Sequence, residues 1–182
     1  MRMKMLMRLS MAFVLAGMNA TVSAATETEQ VLASLQGYEW QLDRGRLAGL
    51  PADSWRTMLD IAQDTDQLDY IRARAAASLT AFPNDDVWRF FIQSTQDSTA
   101  VVSRRRGVDG LCAAFHESRK SALEAVLVPL LGEADTHLRV QTAACLQRLD
   151  TETSREVLAV YRAAITQDWE ARAVSIDRRH AK

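Results

Sequence analysis

Any chemistry in this sequence has to come from a small set of side chains. Three histidines (His116, His137, His180) and two cysteines (Cys112, Cys145) are present. Their spacings match no zinc-binding pattern, and no glycine-rich phosphate loop occurs. Ser118 and Ser121 lie close to His116, but a nucleophile, a base and an orienting group must converge in space, which closeness along the chain does not supply. His116 reads as a solvated residue at a helix end. Asp85 and Asp86 read as helix N-terminal residues, where negative charge is favoured. No catalytic residue, metal site or cofactor is expected.

The run Arg104-Arg105-Arg106 offers a different chemistry, the capture of anionic groups. Three consecutive side chains fan over about 200° of a helix, so at least one must face solvent or a groove. The plain reading is a solvated face. The functional reading joins Arg74 to Arg105 and Arg106 as a basic strip that takes an acidic protein or peptide, and leaves Arg104 structural.

These arginines belong to a longer pattern. Arg72, Arg104, Arg139 and Arg172 recur at 32, 35 and 33 residues. Behind Arg72 come Ala73, Ala75, Ala76, Ala77 and Leu79. Gly107, Gly110 and Leu111 follow Arg104, and Ala143, Ala144 and Leu146 follow Arg139; the fourth copy is degenerate. A fixed period in this range marks stacked repeats, which present a surface.

Helical periodicity places the pattern on helix pairs. Residues 26–36 read as a helix, 38–43 as helix or extended chain, and 44–51 as a loop. Together 25–52 form an N-terminal capping segment, followed by a repeat domain over 53–182. Asp53 or Ser54 starts the first pair, whose second helix carries Ile71, Ala75, Leu79 and Phe82 and ends at Pro83. The second pair starts near Asp85, and its second helix runs over 101–115. Gly107 and Gly110 weaken that helix by about 1 kcal/mol each relative to alanine, in return for close approach of a neighbour. Ser121 to Glu124 reads as a capping box, and Pro129 should kink the helix that follows. Thr153 to Glu156 reads as a second box, and Asp168 starts the last helix. Leu79, Leu111 and Leu146 take equivalent inward positions; Arg179 stands there in the last repeat, as suits a terminal face in water. Trp40, Trp55, Trp88 and Trp169 read as core or end residues. The fold class is all-α, a short α-solenoid of about four helix pairs.

The pairs resemble HEAT repeats of the short bacterial type, in which a turn aspartate precedes an arginine, small residues and a leucine. Asp135–Arg139 and Asp168–Arg172 match with a spacing of four, and Asp66–Arg72 uses an earlier turn aspartate. The second repeat departs, with Ala100 in the aspartate position. The resemblance implies an α-solenoid with an interaction function and no catalytic residues. It also implies an ion-pair ladder of Arg72, Arg104, Arg139 and Arg172 with Asp66, Asp135 and Asp168, setting orientation more than stability. Similar folds include phycobilin lyases and alkylpurine DNA glycosylases, which the charge balance and the N-terminus both oppose.

Residues 1–24 combine a basic start (Arg2, Lys4, Arg8), an apolar run and a small-residue end at Val22-Ser23-Ala24. This is the order of a secretory signal peptide, cleaved after Ala24 or, second, after Ala25. The run is too short to span a membrane; an uncleaved anchor is the alternative. The general secretion route and a periplasmic or secreted location are expected, with no membrane span after cleavage. Of the 22 Lys+Arg and 23 Asp+Glu, three bases lie in the leader, so the mature charge is −4, which argues against nucleic acid as partner. In an oxidising compartment Cys112 and Cys145 could pair. The favoured reading is nevertheless two buried thiols, because facing helices seldom bring β-carbons within bonding range.

The expected function is a non-enzymatic periplasmic scaffold or adaptor that binds a protein or peptide. A structural subunit of a cell-envelope complex is the alternative, and an enzyme accessory subunit a further one.

Overall fold

Residues 26–97 and 100–175 are described by a computed structural model. The leader expected over 1–24, together with Arg179 and His180, lies outside the described residues. The described chain is all-α: ten helices, each packed against its neighbours, with no strand among them.

Two helices form the N-terminal cap. In α1 (Glu27–Leu35), Thr26 accepts from the backbone N–H of Glu29 while the Glu29 side chain returns the bond, a complete capping box. The segment expected as a loop contains a short helix, α2 (Arg44–Ala48). Asp43 accepts from the Arg46 N–H at 3.0 Å and Leu47 is buried, so this five-residue helix has one cap and one apolar anchor. Residues 36–43 form no helix.

Four pairs follow. They are α3 (Ser54–Gln63) with α4 (Asp69–Leu79), α5 (Asp85–Gln96) with α6 (Val101–Phe115), α7 (Lys120–Leu130) with α8 (Thr136–Leu149), and α9 (Glu152–Ala164) with α10 (Asp168–Ser175). Short turns bring each of the first three B helices back onto its own A helix. In the last pair α9 and α10 both pack on α8. Successive B helices, α4, α6, α8 and α10, also touch in order. Leu79, Leu111 and Leu146 have no exposed surface. One core runs through the stack, from Val31 and Leu35 past Phe91 and Phe115 to Leu158 and Val174.

Helix starts depart from expectation in two places. Arg119, not Ser121, precedes α7, and no side chain caps that helix. Ser121 already lies inside its first turn, so the expected capping box does not form. In α9 the box lies earlier, between Thr151 and Ser154. Pro129 sits one residue before the end of α7, where it terminates the helix instead of kinking its middle.

The two glycines of α6 explain how tightly the second pair closes. A β-carbon at Gly107 would stand 2.8 Å from the Thr95 nitrogen and 2.9 Å from the Phe91 carbonyl oxygen. At Gly110 it would overlap the Phe91 ring itself. Backbone therefore meets backbone and ring, an approach no larger residue permits without a shift.

Candidate functional site

Three arginines of the B helices, Arg104, Arg105 and Arg139, each reach an acid about thirty residues on, in the next repeat. Arg104 pairs with Glu133 at 2.6 Å and donates through Nε to the Thr95 carbonyl. Arg105 grips Asp135 through Nε at 2.9 Å and through Nη2. Arg139 meets both oxygens of Glu170 at 2.8 Å and also donates to the carbonyls of Glu133 and Ala134. Each bidentate pair fixes both distance and plane between its helices. The arginines hold the Glu133, Asp135 and Glu170 carboxyls below the usual carboxylate range through these hydrogen bonds. Glu170 is 2% exposed and also accepts from the Tyr161 hydroxyl. Burial first, and the Glu170 bond second, push that hydroxyl up to about 12.

The partners differ from the pairs drawn by turn spacing. Asp135 does not meet Arg139: it caps α8 by accepting from the Leu138 N–H at 2.7 Å and turns to Arg105. Arg72 reaches exposed Asp69 at 3.4 Å, and Asp66 stays in solvent. Arg172 is exposed and makes no ion pair with Asp168 among the described residues. Glu133 and Glu170 were not anticipated. The signal that finds them is an offset of one repeat, not of one turn.

Of the arginines read as a basic strip, two are held within the fold. Arg74 donates to the Leu35 carbonyl at 2.8 Å and stacks between Tyr70 and Trp40, 4.9 and 5.5 Å from their centroids. Arg105 belongs to Asp135. Arg106 alone is exposed, with no hydrogen bond or ion pair among the described residues. Trp40 is tied by its indole N–H to the Ser34 carbonyl, and Trp55 and Trp88 pack on the core. Trp169, 38% exposed, lies beside His137.

The favoured reading of the cysteines is corrected: Cys112 and Cys145 form a disulfide between α6 and α8, with Cα atoms 5.7 Å apart. Small residues beside both positions, Ala113 and Ala114 on one helix and Ala143 and Ala144 on the other, let the helices approach within bonding range. Gln141 of α8 also donates to Asp109 of α6 at 3.1 Å.

The interval between α4 and α6 is built differently. These helices touch far less than α6 and α8, and a cleft opens between them. Towards the helix starts it widens to a chamber of about 590 Å3 with mixed walls, whose polar members include Gln63, Arg72, Ser94 and Ser103. Towards the helix ends lies an apolar chamber of about 350 Å3 under Leu42, walled by Ala73, Ala77, Gly110 and Ala113. Ala76, Phe91 and Arg106 border both chambers, so the two adjoin. Phe91, locked against Gly110, makes the floor. The arrangement offers apolar contact and one unengaged guanidinium. Among the described residues, no cluster of His, Cys, Asp or Glu could hold a metal ion, and no helix is long and apolar enough to cross a membrane.

Comparison with protein-family models, curated proteins and solved structures finds no match.

Proposed function

We propose that this chain is a non-enzymatic, exported α-solenoid of the HEAT-repeat kind that holds a protein or peptide on the face formed by its B helices. The observation that carries the reading is the cleft between α4 and α6, open and lined at one end by small residues, beside an α6–α8 junction closed by a disulfide and ion pairs. Concave, mostly apolar clefts with a few polar groups are where ligands bind. The disulfide supports export, because such bridges persist in oxidising compartments. The order of basic, apolar and small residues over 1–24 supports it independently.

The test is a cleft-filling variant. Ala113 is exposed and borders the apolar chamber, so Ala113→Trp should block it and leave the melting temperature unchanged. Wild type and variant, carrying a photo-crosslinker at the cleft rim, are compared in envelope extracts of the native host. A partner crosslinked by wild type and lost in the variant supports the reading; equal crosslinking by both removes it.

A second reading, a permanent subunit of an envelope assembly, draws on exposed apolar residues at opposite ends of the stack, Tyr38 at 101% and Val160 at 73%. It requires elution of the native protein in a large complex, where an adaptor elutes alone.

A further inference from the structure

We infer that the α4–α6 cleft takes an extended peptide segment of about five residues and that Arg106 reads a carboxylate side chain on it. The inference rests on the reading that this cleft is the binding face.

Dimensions select the form of the occupant. The α4 side of the cleft runs from Asp69 to Thr80, about 16 Å at the helical rise. An extended chain covers that length in about five residues. The helices still touch each other, so the gap is narrower than the roughly 10 Å a helix with side chains needs.

Charge selects its chemistry. Arg104 and Arg105 are saturated by Glu133 and Asp135. Arg106 is not, and it stands where the two chambers meet. Arg72, which also lines the polar chamber, keeps a buried Nε donor without an acceptor, an arrangement that costs about 1–3 kcal/mol. The first turn of α6, which lines the same chamber, carries no acidic residue of its own. Three carboxylates also border the cleft, each with a cation or donor of its own. Asp69 faces Arg72, Asp97 acts on Arg104, and Asp109 accepts from Gln141. The unmatched groups are thus donors, and an acidic side chain matches them. Beyond Arg106 the walls are Ala73, Ala77 and Ala113 over Phe91, which suits small apolar side chains. The segment recognised is therefore acidic at one end and small and apolar at the other.

The test uses an array of pentapeptides, acetylated and amidated so that only side chains carry charge, probed with the full-length mature protein. Asp or Glu should be enriched at one end of the binders. Changing that residue to Asn or Gln should weaken binding about tenfold or more. Arg106→Glu should melt as wild type does and turn the preference towards Lys or Arg. Binding blocked by Ala113→Trp but without acidic preference, or with the preference unchanged in Arg106→Glu, overturns the inference and leaves the broader reading standing. Absence of binding by any peptide, or binding indifferent to Ala113→Trp, removes both. Tighter binding of helix-stapled versions overturns the extended form. Self-association in sedimentation that Ala113→Trp abolishes makes a second copy of this chain the occupant.

Discussion

Arg139 and Glu170 lie 31 residues apart and face each other through two parallel hydrogen bonds of 2.8 Å, nearly out of reach of water. The pair joins the α8 start to α10. Removing one member of a buried pair leaves the other charge uncompensated, at a cost of about 3–5 kcal/mol. Glu170→Gln and Arg139→Met should each lower stability in urea titrations by about 3 kcal/mol. The double variant should lose clearly less than the sum. Additive losses would show that the two side chains do not act on each other.

The same pair gives a pH dependence with a definite sign. Arg139 holds the folded Glu170 carboxyl below the ordinary glutamate value of 4.5. A carboxylate depressed in this way stabilises the fold above its unfolded pKa, and that contribution disappears as pH falls through the folded pKa. Glu133 and Asp135 act in the same direction. The melting temperature of the wild type should therefore drop as pH is lowered from 5 towards 2 (approximate limits). Glu170→Gln should be less stable at neutral pH and show a shallower drop. Identical pH profiles would contradict the assignment.

The disulfide closes a loop of 33 residues between Cys112 and Cys145. Cross-linking a loop of that size stabilises by about 3–4 kcal/mol through the unfolded chain. Reduction, or Cys112→Ser with Cys145→Ser, should lower the unfolding free energy from urea titration by that amount while helical circular dichroism persists at zero denaturant. No change on reduction would mean that the bridge is absent in the purified protein.

Gly110→Ala should destabilise although alanine favours helices, because its β-carbon overlaps the Phe91 ring. The expected loss is about 1–3 kcal/mol. The background variant Phe91→Leu should shrink the loss, since a smaller side chain can move aside. A Gly110→Ala protein as stable as wild type would rule out the close approach of α5 and α6.

Leu79, Leu111 and Leu146 test the repeat register together. Each is wholly buried, and replacement by aspartate puts an unpaired charge in the core at a cost above about 3 kcal/mol. Thermal melts should show all three variants severely weakened; a single tolerant position breaks the equivalence.

Apolar spacing made the helix pairs legible. The limits of α6 follow from its sequence residue for residue, because Val108, Leu111 and Phe115 mark one face and a polar turn precedes it. The short α2 was invisible: five residues show no period, and its stability comes from the Asp43 cap and from Leu47 meeting a core supplied by other helices. Ion pairing was the least legible layer. Asp135 and Arg139 sit at a spacing that suggests contact, but the cap bond to Leu138 turns the carboxylate away, and the Glu133 and Ala134 carbonyls draw the guanidinium. Choosing Arg105 for Asp135 takes a three-dimensional stacking offset that no local window contains. The cleft was hidden for the same reason, since alanine reads as tight packing until the neighbouring helix is seen to stand off.

Fastening is unevenly distributed along the stack. The disulfide, the Arg104, Arg105 and Arg139 pairs and the Gln141 bond all lie from α6 onwards, while α4 touches α6 far less than α6 touches α8. The elastic response of the molecule is therefore graded. From α6 to α10 it behaves as a stiff beam, and a bending load is taken up at the α4–α6 junction. Flexing there would change the width of the cleft directly, so curvature of the solenoid and the width of the cleft form one mechanical variable.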